Sequence, residues 1–483
     1  MYRIKHDGDG VITHYKARLV ARGFSQVYGL DYDETYAPVT RLETIRLLFA
    51  LAVVKDWEIR QIDVKNAYLY GKLDEEIYMD PPLGYPGPEG HVLKLEKALY
   101  GLKQAGRQWY QKLKTTLKEF MLEQVVNDPH TFVRHKTIKG ERKTIIIPIY
   151  VDDLTAIGDK ILTDDFKEWL PKEFDCTMVG DASYLLGIRI NRDRENGTLD
   201  LDQEQYVRSV LKRFNATEMP TYHTPIVVKD DLLPNEAPLE DAVPETVSTY
   251  RSLIGSLMYL MLGTRPDIAY AVGKLARFVT NPSPEHVKAA KCVLAYLKAT
   301  DYWGLRYYAD GFIEPEGFVD ADHAGDKSDR KSTAGYAFLA AKCVFSWSSK
   351  KESTVATSTM EAEYIALFLG SQQAAWIRQF YGQIGFPLEE PMTIYCDSES
   401  AIAVVHAEHS HKLSKHLDIK LHSIRERIQN WEIVVRRVSS KENCADLLTK
   451  GLSEDMLDAH TDTLGLYSFN PDTVVEDEGP QGE

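Results

Sequence analysis

Cysteine is scarce in this 483-residue chain, which has five, at positions 176, 292, 343, 396 and 444. Their wide separation argues against a disulfide framework and shows no paired spacing of the zinc-binding kind. Scattered free thiols are typical of a reducing compartment. The sequence also lacks an apolar run of about 18 residues, the length that a membrane-spanning helix needs. Its polar first residues do not have the pattern of a secretory signal.

Positive charge is in deficit as well, because the net charge is −15. A negative chain is an unexpected partner for nucleic acid, whose phosphates bind cationic surfaces. Two segments, 227–247 and 468–483, together carry −10 of this charge. Local basic grooves elsewhere could therefore still bind a polyanion. The length predicts more than one domain, and the 44% hydrophobic content is enough to form real cores.

Two adjacent acids, Asp152 and Asp153, stand between the apolar, largely β-branched runs 144–149 and 154–157. This pattern predicts a strand, a tight turn and a returning strand. Adjacent carboxylates repel one another unless a cation compensates them, and Mg²⁺ prefers such oxygen ligands. An isolated pair of this kind is more often a solvated turn. Asp63, at the end of another alternating stretch, supplies the third carboxylate that a two-metal site needs from a separate strand.

Three motifs in this order closely resemble reverse transcriptases of copia-type LTR retrotransposons. They are QIDVKNAYLYG at 61–71, ALYGLKQAGRQWY at 98–110 and IPIYVDDL at 147–154. The opening stretch HYKARLVARGFSQVYGLDYDETYAPVTRLETIRLL, residues 14–48, carries the same resemblance, which extends over nearly all of residues 1–455. Within this region, the apolar spacing of residues 41–55 predicts a core helix.

The resemblance implies that Asp63, Asp152 and Asp153 are the catalytic, metal-binding acids of a polymerase. It also implies nucleotide-binding residues: cations in the fingers, an aromatic gate beneath the nucleotide sugar, and contacts to template and nucleotide. The cations are Lys16, Arg18 and Arg22, and the aromatic gate is Tyr68. The contacts to template and nucleotide are Tyr100, Lys103 and Gln104. The alternatives are a solvated strand face for the cations and an ordinary core aromatic for Tyr68. Relatives have further fingers sequence upstream, so the fingers are predicted to be incomplete.

From about residue 312 the pattern changes to alternating strands and helices, with acids at the ends of separate elements. Such an order suggests a second two-metal site. This half resembles the RNase H domain of the same elements. The resemblance implies four catalytic, metal-binding acids: Asp320, Glu363, Asp397 and Asp446. Glu363 is preferred over Glu361 because it matches the family's helical pattern, and Asp320 over Asp322 because it directly follows apolar strand residues.

These observations predict a multidomain α+β and α/β fold. A right-hand-type polymerase, with a palm, partial fingers and a helical thumb or connection, is followed by an RNase H-like α/β domain. The predicted segments are fingers, palm and the start of the thumb at 1–226, an acidic linker at 227–247, a helical thumb or connection at 248–311, the RNase H-like domain at 312–455, and an acidic disordered tail at 456–483.

The predicted function is RNA- and DNA-directed DNA polymerisation joined to RNase H cleavage, with the chain read as the C-terminal part of a Pol polyprotein. The expected cofactor is Mg²⁺, two ions per site, with Mn²⁺ as an alternative. The expected partners are an RNA template, a DNA primer, an RNA–DNA hybrid, dNTPs and other Pol and Gag products, but no membrane. The resemblance implies a cytoplasmic virus-like particle, with nuclear entry left open. The competing hypothesis is an inactive or single-site remnant that binds nucleic acid.

Overall fold

The computed structural model describes residues 2–6, 12–37, 39–82, 84–85, 88, 90–227, 232–407 and 415–469. Its strands are β1 (Tyr2–His6), β2 (Ile12–Ala17), β3 (Glu58–Val64), β4 (Lys72–Met79), β5 (Leu93–Lys97), β6 (Glu123–Gln124), β7 (Thr131–Ile138), β8 (Glu141–Tyr150), β9 (Asp153–Gly158), β10 (Cys176–Asp181), β11 (Tyr184–Leu185), β12 (Ile188–Asp193), β13 (Thr198–Asp202), β14 (Trp303–Tyr308), β15 (Glu316–Asp322), β16 (Thr333–Ala340), β17 (Cys343–Lys351), β18 (Met392–Cys396), β19 (Ile433–Arg437) and β20 (Leu466–Ser468). Its helices are α1 (Leu42–Val54), α2 (Ala105–Glu119), α3 (Lys160–Glu173), α4 (Glu204–Arg213), α5 (Pro244–Gly263), α6 (Ala269–Leu275), α7 (Pro284–Ala299), α8 (Thr359–Gln383), α9 (Glu399–His406), α10 (Lys415–Gln429) and α11 (Glu454–Thr463).

The chain divides into two compact units. The first combines Met1–Arg41 with Glu58–Ala182, and the second combines Leu42–Trp57 with Ser183–Glu483. Helix α1 is therefore an excursion of the chain from one unit into the other. It is buried along most of its length, which confirms the core helix predicted for residues 41–55.

The first unit is built on a six-stranded antiparallel sheet in the order β10-β3-β9-β8-β7-β6. The apolar runs on either side of Asp152 and Asp153 form β8 and β9, which confirms the predicted strand, turn and strand. Residues such as Trp109 of α2, Ile147 of β8 and Phe166 of α3 belong to one hydrophobic cluster that includes the sheet and both helices. This core fixes the hairpin that carries the acids.

The second unit contains two five-stranded sheets. One is antiparallel, in the order β11-β12-β13-β14-β20. The other, in the order β17-β16-β15-β18-β19, begins as an antiparallel meander and continues with β15, β18 and β19 parallel. Its long helix α8 packs against β15. A parallel pair brings the carboxyl ends of its strands to one edge, which matters for the acids described below.

A buried arginine explains why α1 belongs to the second unit. The Arg46 guanidinium donates hydrogen bonds to the carbonyl oxygens of Phe345, Leu262 and Gly263 at 2.7–2.8 Å. It also stacks on the ring of Trp347 at 3.8 Å. Burial lowers the pKa of Arg46 to about 10. The side chain thus satisfies the carbonyls at the end of α5 and binds α1 to β17.

The ordered structure differs from the predicted segments at two places. The boundary between units falls at 182/183 rather than at 226, because β12 pairs with β13, which in turn pairs with β14 far along the chain. The predicted tail at 456–483 is wrong for its first part, since α11 continues to Thr463 and β20 pairs with β14. The rest of that tail, 470–483, and residues 228–231 of the predicted linker lie outside the described residues. No described helix has the length and apolar character needed to cross a membrane.

An ion pair with no solvent exposure stabilises the helical part of the second unit. Arg265 contacts both carboxylate oxygens of Asp267, at 2.7–3.2 Å, just after α5 ends. The same guanidinium donates to the carbonyl and hydroxyl of Thr300, at the end of α7. Removing one member of such a pair leaves a buried charge without compensation.

We therefore expect Arg265→Met to lower the free energy of unfolding by about 3–5 kcal/mol. Denaturant unfolding followed by circular dichroism measures the loss. The matched control is Arg251→Met, at an exposed position of α5, which should change stability by less than about 0.5 kcal/mol. Equal losses in the two variants would contradict a structural role for the buried pair.

Candidate active sites

The first site is centred on the β8–β9 hairpin. Tyr150 pairs with Asp153, so Val151 and Asp152 form the two-residue turn. Val151 has a φ of +60°, a strained conformation for a β-branched residue. The Trp109 indole nitrogen donates a 2.6 Å hydrogen bond to the Val151 carbonyl and holds the turn in place. Strain that the surroundings maintain in this way is typical of functional sites.

Antiparallel pairing brings the third acid to this turn. Asp63 of β3 is the direct partner of Asp153 on β9, and the Val64 amide donates to the Asp152 carbonyl at 3.2 Å. Directly opposed residues lie on the same face of a sheet with Cβ atoms about 4.5–5.5 Å apart. All three acids are half-buried. The structure thus brings together the acids predicted for polymerisation, although their roles stay predictions.

Two tyrosines and an arginine lie beside these acids. The rings of Tyr68 and Tyr100 are 4.8 Å apart, and the Arg18 guanidinium lies 4.9 Å from the Tyr100 ring centroid. Burial, and after it the negative charge of Asp152, raises the pKa of Tyr68. Burial is also the main cause of the raised pKa of Tyr100, which Arg18 opposes. A cation, two aromatic faces and carboxylates at one location could contact a nucleotide.

The other predicted nucleotide-binding residues are placed differently. Gln104 is fully buried, and its amide bonds to Asp31, Glu75 and Gln26, so it presents no free group to a ligand. The Lys103 ammonium donates to the Tyr32 hydroxyl at 3.0 Å.

Two predicted cations of the fingers complete this set. Arg22 is exposed and lines a cavity of about 550 Å³ together with Asp31 and Tyr78. Lys16 lies on β2, paired with Arg3, and its side chain lies outside the described residues. Neither observation tests a nucleotide contact, so both residues stay predictions.

The second site begins at the parallel pair of strands β15 and β18. Val319 and Cys396 are register partners, so Asp320 and Asp397 each follow at the same edge of the sheet. Asp320 is 2% exposed and Asp397 is half-buried. Ligand oxygens of Asp320, Asp397 and Asp446 all lie within 4.8 Å of one another. Asp63, Asp152 and Asp153 do not form such a group, although all three are among the described residues.

Helix α8 adds the fourth acid because it lies unusually close to β15. A Cβ atom at Gly370 would come within 2.5 Å of the Val319 side chain, so glycine permits this approach. Two turns earlier, Glu363 is 5% exposed and joins a group with Cys396 and Asp397. Glu361 instead accepts hydrogen bonds from the Thr357 amide and hydroxyl at the start of α8. The structure therefore places Glu363, and not Glu361, at the cluster.

Asp446 is positioned by its own short 3₁₀ helix, Cys444–Leu448. The Asn443 side-chain amide donates to the Val319 carbonyl at 2.9 Å, and its oxygen accepts from the Ala445 amide. The turn that carries Asp446 is thereby attached to the end of the strand that carries Asp320.

The acids are also contacted by three residues that the sequence analysis did not predict. The Lys450 ammonium lies 2.9 Å from Asp446 and 3.9 Å from Asp320, the Thr449 hydroxyl donates to Asp320, and the Ser440 hydroxyl donates to Asp397 at 2.7 Å. The spacing of Asp446 and Lys450, four residues apart, was the one available signal. Lys450 supplies a positive charge that partly compensates the converging acids.

Burial and mutual repulsion act together on these carboxyl groups. Burial and the Asp446 charge raise the pKa of Asp320 to about 7. Burial and the charges of Asp320 and Asp397 raise the pKa of Glu363 to about 9, and burial raises that of Asp446. A raised pKa favours the protonated form of a carboxyl group, and a bound cation would favour the charged form instead. The arrangement is thus compatible with a divalent metal, which the chemistry of four converging carboxylates fits.

Comparison with known proteins identifies close relatives of this chain. A family described as reverse transcriptase (RNA-dependent DNA polymerase) matches residues 1–228. The chain is 39% identical over 475 residues to the retrovirus-related Pol polyprotein from transposon TNT 1-94 of Nicotiana tabacum, and 36% identical over 471 residues to that from transposon RE1 of Arabidopsis thaliana. Each alignment covers 97% of this chain but 35% and 31% of the relatives. The chain therefore spans about a third of their length.

A shorter relative is matched almost completely. The putative transposon Ty5-1 protein of Saccharomyces cerevisiae is 31% identical over 315 residues, which are 63% of this chain and 97% of that protein. Among solved structures, a foamy viral protease-reverse transcriptase in complex with an RNA/DNA hybrid aligns with 79% of this chain and 44% of its own, at 12% identity and a TM-score of 0.40. The RNase H1 LC11 aligns with 30% of this chain and 96% of its own, at 17% identity and a TM-score of 0.23.

The raised pKa values predict an unusual dependence of stability on pH. The pKa values of Asp320 and Glu363 in the folded chain exceed the values of about 4 expected when it is unfolded, so the folded chain binds more protons. Without divalent metal, the melting temperature should therefore fall as the pH rises from 6 to about 9.

Asp320→Asn removes one of the repelling charges and should raise the melting temperature at pH 8 by roughly 2–4 °C, the shift that about 1 kcal/mol produces in a domain. Mg²⁺ should stabilise the wild-type chain at this pH and the variant less. Asp455→Asn, at an exposed position of α11, is the matched control. A melting temperature that is unchanged in Asp320→Asn would show that the acids do not repel one another.

Proposed function

The chain belongs to the Pol polyproteins of copia-type LTR retrotransposons, and we propose that it copies RNA and DNA templates into DNA and cuts the RNA strand of hybrids. Its fold, a reverse transcriptase followed by an RNase H-like α/β domain, is the one that the sequence predicted. The register pairing of Asp63 with Asp153 beside a strained turn is the observation that carries the polymerase proposal. The proposed partners are template, primer, hybrid and dNTPs, with other Pol and Gag products in a cytoplasmic virus-like particle or, after entry, in the nucleus.

In the proposed polymerase, Asp63, Asp152 and Asp153 would hold two Mg²⁺ ions, or Mn²⁺ as a substitute. These ions would activate the primer 3′-hydroxyl and stabilise the leaving pyrophosphate. Trp109 keeps the turn in its strained form, which fixes the direction of the two adjacent carboxylates. Arg18 supplies positive charge for the triphosphate. Tyr68, which packs on Tyr100, would lie beneath the sugar and leave no room for a 2′-hydroxyl.

In the proposed nuclease, Asp320, Glu363, Asp397 and Asp446 would hold metal ions, which would supply activation of water and stabilisation of the leaving oxygen. Lys450 and the hydroxyls of Thr449 and Ser440 orient three of these carboxylates. The hybrid would be bound through its backbone and 2′-hydroxyls, largely without sequence preference.

A second candidate is a chain with one live site, the nuclease. One observation favours it: the later acids bring three ligand atoms within 4.8 Å of one another, whereas Asp63, Asp152 and Asp153 do not in this structure. Such a chain would cleave hybrids and bind nucleic acid without extending a primer.

Separate loss of the two activities tests the proposal. Asp153→Asn should reduce Mg²⁺-dependent primer extension on poly(rA) by about 100-fold or more, while hybrid cleavage persists. Asp397→Asn should do the reverse. Asp165→Asn, exposed on α3, is the control for both assays. Equal loss of both activities in each variant would contradict independent sites, and cleavage without any extension by the wild-type chain would favour the second candidate.

The choice of sugar tests the role of Tyr68. Tyr68→Ala should raise incorporation of ribonucleotides relative to deoxyribonucleotides by roughly 10- to 200-fold, the range that one steric contact supplies. Tyr68→Phe keeps the ring and should retain discrimination. Single-nucleotide incorporation kinetics with both triphosphates measure the ratio. The same ratio in the Ala variant and the wild type would remove Tyr68 from the sugar contact.

A further inference from the structure

A thiol lies among the acids of the second site. Cys396 is the last residue of β18, directly before Asp397, and is completely buried. Its sulfur, a Glu363 oxygen and an Asp397 oxygen all lie within 4.8 Å of one another. Hard cations such as Mg²⁺ take oxygen ligands, whereas thiolate selects softer metals. The proposed magnesium chemistry therefore gives this sulfur no role.

One carboxylate oxygen in this group is buried and has no partner. Glu363 is 5% exposed, and its Oε2 makes no hydrogen bond within the described part of the chain. A buried carboxylate oxygen without a donor costs free energy unless it is protonated or meets a cation. The same carboxyl group faces the thiol and Asp397, so a bound cation would satisfy all three side chains.

We propose that Glu363, Cys396 and Asp397 form a site for a thiophilic divalent cation such as Zn²⁺ or Cd²⁺. Tetrahedral zinc has a Zn–S bond of about 2.3 Å and Zn–O bonds of about 2.0–2.2 Å, so ligand atoms about 3.5 Å apart suffice. The three atoms, now within 4.8 Å of one another, would approach to this spacing when the metal binds, and water or another oxygen would complete the shell. The thiol proton passes to solvent as the metal–sulfur bond forms.

Occupancy of this site would interfere with the nuclease. Asp397 is a member of both groups of ligands, the one with Cys396 and the one with Asp320 and Asp446. A soft cation bound through sulfur would take Asp397 and Glu363 away from the ions that the nuclease uses. This second part of the inference rests on the proposed function, whereas metal binding itself does not.

Optical titration tests binding without any need for activity. The full chain carrying Cys176→Ser and Cys292→Ser, which removes the two half-buried thiols, is titrated with Cd²⁺. We expect ultraviolet thiolate-to-cadmium charge-transfer absorbance that saturates at one bound ion per chain. The further substitution Cys396→Ser should abolish this absorbance. Added Cys444→Ser, which removes another buried thiol, is the matched control and should leave the absorbance unchanged. An equal signal with and without Cys396 would overturn the proposal.

A second variant covers the case in which Cys396→Ser fails to fold. Glu363→Gln keeps the thiol and removes one ligand charge, so it should weaken Cd²⁺ binding by about tenfold or more. Unchanged affinity in this variant would also overturn the site.

Hybrid cleavage then tests the consequence. At fixed Mg²⁺, the ratio of rates with and without Zn²⁺ is measured for the wild-type chain, Cys396→Ser and Cys444→Ser. Inhibition should weaken by about tenfold or more only in Cys396→Ser. Equal inhibition in all three chains would contradict interference through this sulfur. Absence of cleavage in every chain would refute the proposed nuclease, while the optical result would still decide metal binding.

Discussion

Repulsion between buried carboxylates is the constraint on which the second site depends. Asp320, Glu363 and Asp446 are each at least 95% buried, and burial is the main cause of the raised pKa of all three, with neighbouring acids of the cluster adding to it. A fold gains nothing in stability by collecting such groups. It tolerates them here because Lys450 and the hydroxyl of Thr449 compensate part of the charge. The negative charge that remains uncompensated makes the cluster suited to a divalent cation.

The first site also brings carboxylates together, but in a more exposed position. Its acids are half-buried and lie at the tip and side of a hairpin, where solvent moderates their repulsion. Its strain lies in the backbone, where Val151 has a positive φ and accepts a hydrogen bond from Trp109. One site thus stores its strain in side-chain electrostatics and the other stores it in a turn.

Local patterns in the sequence were sufficient for much of this architecture. The alternation around Asp152 and Asp153 predicted β8 and β9, and the apolar spacing of 41–55 predicted α1, because both depend on residues close in the chain. The tail was misjudged, since the acidic composition after residue 456 hid α11 and β20. The pairing of β20 with β14 joins residues about 160 positions apart, which no local pattern contains.

The amino-acid sequence by itself determined the family and predicted the seven acids, because their motifs are contiguous and their order is distinctive. Only the tertiary structure decided which neighbours the acids meet. Register between β15 and β18 set Asp320 beside Asp397, and Gly370 let α8 approach closely enough to bring Glu363 to Cys396 and Asp397. Gln104 received a structural role for the same reason, since its buried amide bonds to residues distant in sequence. Contacts of this kind arise from packing between elements, which the order of residues along the chain does not display.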